Sequence, residues 1–124
     1  MKIVKYLVFA ITTIILIGIF SFKNIEAQNP FLPTKLKITV LDRLGNVVPE
    51  ATVTLYKDES SYRANADTVQ SMMTDEKGVA LFKNLEPVSY FIDARKGDEN
   101  NDGEGVQTAS LQEGRVNKVN TIIE

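Results

Sequence analysis

The sequence predicts an all-β fold, a seven-stranded antiparallel Greek-key β-sandwich preceded by an N-terminal apolar signal helix. Three observations carry that prediction. Beyond Gln28, short apolar runs alternate with polar residues, the period of a pleated strand with one buried face. Glycine, asparagine and proline punctuate those runs at eight-to-twelve-residue spacing. No apolar repeat of helical period lasts three turns in the same region.

In chain order, Lys2 and Lys5 come first, ahead of residues 6–22, which are mostly Ile, Leu, Val and Phe. Lys23-Asn-Ile-Glu-Ala27-Gln28 follows. A positive start, an apolar middle and a small residue at the end make a secretory signal, cleaved after Ala27. The alternative is an uncleaved anchor, because residues 6–22 are just long enough to span a ~30 Å hydrocarbon core. Both place the remainder outside the cytoplasm, since lysines favour the inner side. The expected location is therefore periplasmic or extracellular. No cysteine is present for lipid attachment.

Residues 28–34 read as a linker stiffened by Pro30 and Pro33, and residues 35–124 as the domain. Leu36, Ile38 and Val40 form the inward side of a first strand; Leu44-Gly45-Asn46 reverses the chain. Ala51, Val53 and Leu55 face inward on a second strand, and residues 58–67 read as a polar loop. Residues 68–73 make a third strand of weaker pattern, with Met72 and Met73 on opposite faces. Asp75-Glu-Lys-Gly78 is a turn, Ala80 and Phe82 face inward on a fourth strand, and Leu85 plugs the corner before Pro87. Tyr90, Ile92 and Ala94 continue inward on a fifth strand, with Ser89, Asp93 and Arg95 outward. Residues 97–105 read as a loop, 106–111 as a sixth strand and 115–123 as a seventh. Both alternations in that last run are apolar in part, so a bulge is expected there. The inward residues named, with Val119, are the predicted core.

Composition removes several functions. Cysteine and histidine are absent, which excludes disulfides, Cys/His zinc sites and Ser-His or Cys-His nucleophile pairs. Lys2, Lys5 and Lys23 and the single acid Glu26 precede Gln28, leaving 11 basic against 15 acidic side chains in the rest. Without a basic run no nucleic-acid surface is expected. Membrane contact is expected only through residues 6–22, if the signal is retained.

Leu41-Asp-Arg-Leu-Gly-Asn-Val-Val-Pro-Glu-Ala-Thr-Val-Thr-Leu55 and Thr74-Asp-Glu-Lys-Gly-Val-Ala-Leu-Phe-Lys-Asn-Leu-Glu-Pro-Val-Ser-Tyr90 resemble the carboxypeptidase regulatory-like domain, here as a bacterial exported stand-alone form. The resemblance covers about residues 35–96 and implies a transthyretin-like (prealbumin-like) sandwich. Glu50 and Val88 stand where that family's pattern has glycine. Hydroxyisourate hydrolases of similar fold use histidines and a terminal Tyr-Arg-Gly-Ser, which this chain lacks. Collagen-adhesin B-type domains can join a first-strand lysine to a last-strand asparagine; here Lys37 and Asn120 read as solvated and Ala94 replaces a helpful acid.

Asp98-Glu-Asn100-Asn-Asp102-Gly103 matches the first half of a calcium loop, in which alternate oxygens converge on the ion. Its twelfth position is Ala109 rather than glutamate, and a hairpin loop explains the same residues. Glu50, Asp75 and Glu76 are the acids a carboxylate mechanism would use, and turns explain them equally. Tyr56, Tyr62 and Arg63 are residue types common at binding hot spots. No catalytic, cofactor-binding or metal-binding residue is therefore assigned. The expectation is a non-enzymatic exported module contacting a protein or other envelope component. The alternative is a calcium-dependent carbohydrate- or surface-binding domain using residues 98–104.

Overall fold

A computed structural model describes residues 32–124, which form a compact unit of their own. The expected signal, its cleavage point and residues 28–31 of the linker lie outside the described residues. Strand β1 (Lys35–Leu41) is followed by β2 (Thr52–Tyr56), helix α1 (Glu59–Ala64), β3 (Gln70–Met73), β4 (Val79–Phe82), β5 (Phe91–Lys96), β6 (Glu99–Asn100) and β7 (Val116–Ile122). They make two sheets, β4-β1-β7 and β3-β2-β5-β6.

Alternation puts one face of each sheet inside. Leu36, Ile38, Val40, Ala51, Val53, Leu55, Ala80, Phe82, Leu85, Tyr90, Ile92 and Ala94 are all buried, as their spacing predicts. Val119 is only partly buried, and Val48, Leu111 and Ile123 complete the core cluster. The large apolar members stabilise the fold by about 1.5–3 kcal/mol each before chain entropy is opposed.

The two motif segments pack on one another. Thr74 is buried; its hydroxyl donates to the Val48 carbonyl at 2.7 Å and accepts from Ala51 N–H at 2.9 Å. Gly78 has φ +72°, and a Cβ there would come within 2.9 Å of the Val48 backbone nitrogen. Glycine is thus required both by its dihedral and by the approach of the neighbouring turn. Glu50 also has positive φ, 58°, a region that favours glycine. The Tyr90 hydroxyl accepts from Glu86 N–H at 3.0 Å and donates to the Glu86 carbonyl at 3.2 Å, which fixes the corner before β5.

Four expectations are corrected. The sandwich is not wholly antiparallel: β1 and β7 run parallel, from Lys35 opposite Val116 to Leu41 opposite Ile122. Alternation reports which face a residue occupies but not strand direction, and the intervening chain supplies the long crossover that parallel neighbours need. β7 carries no bulge, because its pairing advances residue for residue. Consequently Asn117, Val119, Thr121 and Ile123 share the inner side, and the apolar Val116 and Ile122 point outward, 49% and 37% exposed.

Residues 106–111 form no regular strand. Ile92 and Leu111 N–H reach the carbonyls of Val106 and Val88, but the Thr108 hydroxyl takes Tyr90 N–H in place of a ladder carbonyl. The sixth strand is instead the two-residue β6, hairpinned onto β5. Finally, the polar stretch 58–67 contains α1. That helix lacks the apolar stripe by which a longer one is read, and none of its residues is fully buried.

Candidate functional site

The outer face of the second sheet is partly covered, and the covering elements build a groove. Asp58 opens α1 in extended conformation, its carboxylate accepting from Ser61 N–H at 2.7 Å. This backbone bond and those from the Ser60 and Ser61 side chains hold the Asp58 carboxyl below the usual aspartate range. Asn65 closes the helix in the left-handed region, where asparagine is tolerated. Glu59 and Arg63, one turn apart, pair at 2.6 Å on the solvent side.

Tyr62 faces the sheet. Its ring meets Tyr56 edge-on at 5.9 Å and Phe91 at 6.0 Å with a 31° tilt, both residues projecting outward from β2 and β5. Its hydroxyl donates to Asp102 Oδ1 at 3.0 Å. Burial, then that bond and the adjacent charge of Asp102, push the phenol up to about 12. Beneath it, Arg95 Nε lies 3.0 and 3.1 Å from the two oxygens of the nearly buried Asp93, while Nη2 is 3.6 Å from Asp102. The hydrogen bonds Arg95 donates to Asp93, and the charge of that carboxylate, raise the Arg95 pKa above the usual arginine value. Arg95 is half exposed, so the guanidinium edge not held by Asp93 borders the groove.

The groove has a volume of about 410 Å³; Tyr62, Arg63, Asn65, Phe91, Arg95 and Val106 are among its lining. Of the three hot-spot types marked in the sequence, Tyr62 and Arg63 reach it. Tyr56 does not, being 3% exposed beneath the Tyr62 ring. The contributions of Phe91, Asp93 and Arg95 were missed because they are merely the outward positions of β5; only the fold of α1 over that face distinguishes them.

The supposed calcium loop has other employment for its oxygens. Asn100 Oδ1 accepts from Asp102 N–H at 3.0 Å, and Asp102 Oδ1 accepts from the Tyr62 hydroxyl, also at 3.0 Å. Asn101, the residue between them, is fully buried. Its amide accepts from Ala94 N–H at 3.0 Å and donates to the Ile92 carbonyl at 2.9 Å and to Thr121 Oγ1 at 3.0 Å. Among the described residues no group of three acidic side chains is placed to hold a metal ion. The calcium reading is not supported by this arrangement. The physical reason is that Asn101, between Asn100 and Asp102, acts here as a buried clamp, which a sequence pattern of oxygens does not distinguish.

Glu50 lies beside the Asp75 turn, its N–H donating to the Thr74 carbonyl at 3.1 Å. Asp75 Oδ1 accepts from Lys77 and Val79 N–H at 2.9 and 3.0 Å and so serves its own turn. Lys37 and Asn120 lie on the outer side of the first sheet, where Lys37 stands opposite Lys118 and Asn120 opposite Thr39. Among the described residues no helix is long and apolar enough to cross a membrane.

Fold and groove together define a two-sheet β-sandwich domain with a helix strapped over one outer face. No family model and no curated protein sequence matches the chain. Solved structures do. The chain is similar to the Bacillus anthracis TIE protein, with TM-score 0.53 and 25% identity over 74% of this chain and 17% of that one. It is similar to a Streptococcal ancillary pilin, TM-score 0.55 and 13% identity over 77% of this chain and 33% of that one. It also resembles BcpA, the major pilin subunit of Bacillus cereus, TM-score 0.50 and 17% identity over 74% and 30%. The chain thus spans a third or less of each of these proteins. A likeness with TM-score 0.50 and 12% identity joins it to a chlorocatechol 1,2-dioxygenase from Pseudomonas putida, so the sandwich by itself fixes no task.

Proposed function

We propose that this chain is an exported, non-enzymatic β-sandwich module that works by protein contact or as a structural accessory of the cell envelope. The observation that carries the reading is the likeness in fold to domains of pilins and of the TIE protein, the last at 25% identity. The groove beside α1 is the contact face best suited by chemistry. It combines the half-exposed Arg95 edge and the Phe91 ring of β5 with the Tyr62, Arg63 and Asn65 side chains of α1 and its C-cap. The docking of Thr74 and Gly78 on the Val47–Val48 turn supports reading residues 35–124 as a carboxypeptidase regulatory-like module. The apolar segment 6–22 supports export, with cleavage after Ala27.

Fractionation of the producing cells, with N-terminal sequencing of the recovered chain, tests export. A chain found in the envelope or medium and beginning at Gln28 is expected. Recovery in the cytosol with Met1 or Lys2 first would overturn it. Cross-linking and affinity isolation from the same fractions test the contact role, and a chain that captures no envelope component under any condition would count against it.

A further inference from the structure

One end of the sandwich carries an unusually prominent apolar side chain. Leu44 sits at the tip of the turn after β1 and is 88% exposed. The turn beneath it is rigidly made: Asp42 Oδ1 accepts from Leu44 and Asn46 N–H, both at 2.9 Å, and Asp42 N–H donates to the Asn46 carbonyl at 2.9 Å. Held this way, the leucine loses little freedom on docking, which is the condition for an efficient anchor. Around it the charge is mainly acidic. Asp42, Glu99 and Glu124 share a shallow hollow with Arg43, which pairs with Glu124 at 3.0 Å.

The opposite end offers the complement. A groove of about 540 Å³ runs between residues 108–112 and the first half of β7. Leu111, Val116 and Val119 supply apolar lining, and Lys118 is its charged side chain. Because β1 and β7 are parallel, the turn after Leu41 and the groove beside Val116 lie at opposite ends of the same strand pair. Seven residues of strand separate them by roughly 20 Å, so Leu44 cannot fill the groove of its own chain.

We propose that the occupant of this groove is a second copy of the chain, inserted head to tail by its Leu44 turn. Leu44 enters between Leu111 and Val116, while the acidic end of one copy faces Lys118 of the next. Such a contact uses two different surfaces, so it repeats into linear assemblies instead of closing a symmetric dimer. The inference names one partner for the contact module but stands on different residues from the groove beside α1. Its failure would leave that reading in place.

The absence of cysteine makes the test clean. Full-length Leu44→Cys, Val116→Cys and a Met73→Cys control, each at an exposed position, are exported, purified and treated with a mild oxidant alone and in pairs. The Leu44→Cys and Val116→Cys mixture is expected to form disulfide-linked dimers several-fold above either variant alone and above either mixed with the control. A chain carrying both cysteines is expected to form a ladder of higher multimers, and Leu44→Asp in the wild-type chain to abolish concentration-dependent association in sedimentation. Cross-linking of the mixture no greater than with the control would overturn the proposal. So would capture of Leu44→Cys by another protein in place of a second copy.

Discussion

Asn101 and Thr121 join the two sheets through a fully buried hydrogen bond, Nδ2 to Oγ1 at 3.0 Å. The same asparagine ties Ala94 N–H and the Ile92 carbonyl of β5, so one side chain satisfies two backbone groups just beyond the β5–β6 ladder as well as the Thr121 hydroxyl. Asn101→Ala is expected to cost about 2–4 kcal/mol, because buried partners are left without bonds. Asp98→Ala, on an exposed position three residues earlier, is expected to change stability by less than about 0.5 kcal/mol. Urea unfolding of the two variants checks the contrast. In the same samples millimolar calcium is expected to leave both midpoints unchanged; a rise in midpoint for the wild type that Asp98→Ala removes would restore the metal reading.

Tyr62 gives the protein a titration signature. Its pKa is raised from the ordinary tyrosine value of 10 to about 12 in the folded state. A group with a raised folded pKa contributes stability that is complete below its unfolded value and is lost as pH climbs through the folded one. Stability is therefore expected to fall between pH 10 and 12 through this group. Tyr62→Phe is expected to flatten that part of the profile. Burial pushes the Tyr56 phenol up as well, so ultraviolet titration of tyrosinate is compared in wild type, Tyr62→Phe and Tyr56→Phe; a latest step kept in Tyr62→Phe and lost in Tyr56→Phe would contradict the assignment.

Asp58 acts at the other extreme of pH. Its pKa is lowered by bonds at the start of α1, so the stabilisation it gives is present above the unfolded value of 3.8 and disappears as pH falls through the folded one. Amide protection at Ser61 and Tyr62, taken as the exchange rate relative to that of the unstructured chain at the same pH, is expected to fall on acidification below about pH 4 before the core opens. In Asp58→Ala that protection should already be low at neutral pH.

Glu50 holds a left-handed backbone that suits glycine. Glu50→Gly relieves that strain while adding unfolded-state freedom, and the net effect is expected to be a gain of up to about 1 kcal/mol. Thermal melting reads it. Gly78→Ala, beside the Val48 backbone, is expected to shift the melt strongly the other way.

How far the sequence reaches can be judged from particular residues. Leu36, Ile38, Val40, Val53, Leu55, Phe82 and Ile92 were legible because a one-residue slip would have put them in water. The parallel course of β7 was not, since Val119 and Thr121 face inward whichever way the strand runs. Nor was α1, where the rings of Tyr62, Tyr56 and Phe91 meet only once the sheet is formed and no apolar stripe marks the six residues of helix. In the site, Tyr62 and Arg63 stood out by residue type. Asn101 did not, because its role depends on three partners brought together only by the closed sandwich.

The central claim, that the face beside α1 makes protein contacts in the envelope, is tested most directly by a photo-cross-linking amino acid placed at Arg63 in the producing cells. The expected result is a discrete adduct with an envelope protein, absent when the same group replaces Lys83 away from the groove. Equal, diffuse labelling at both positions, or none at either, would contradict it.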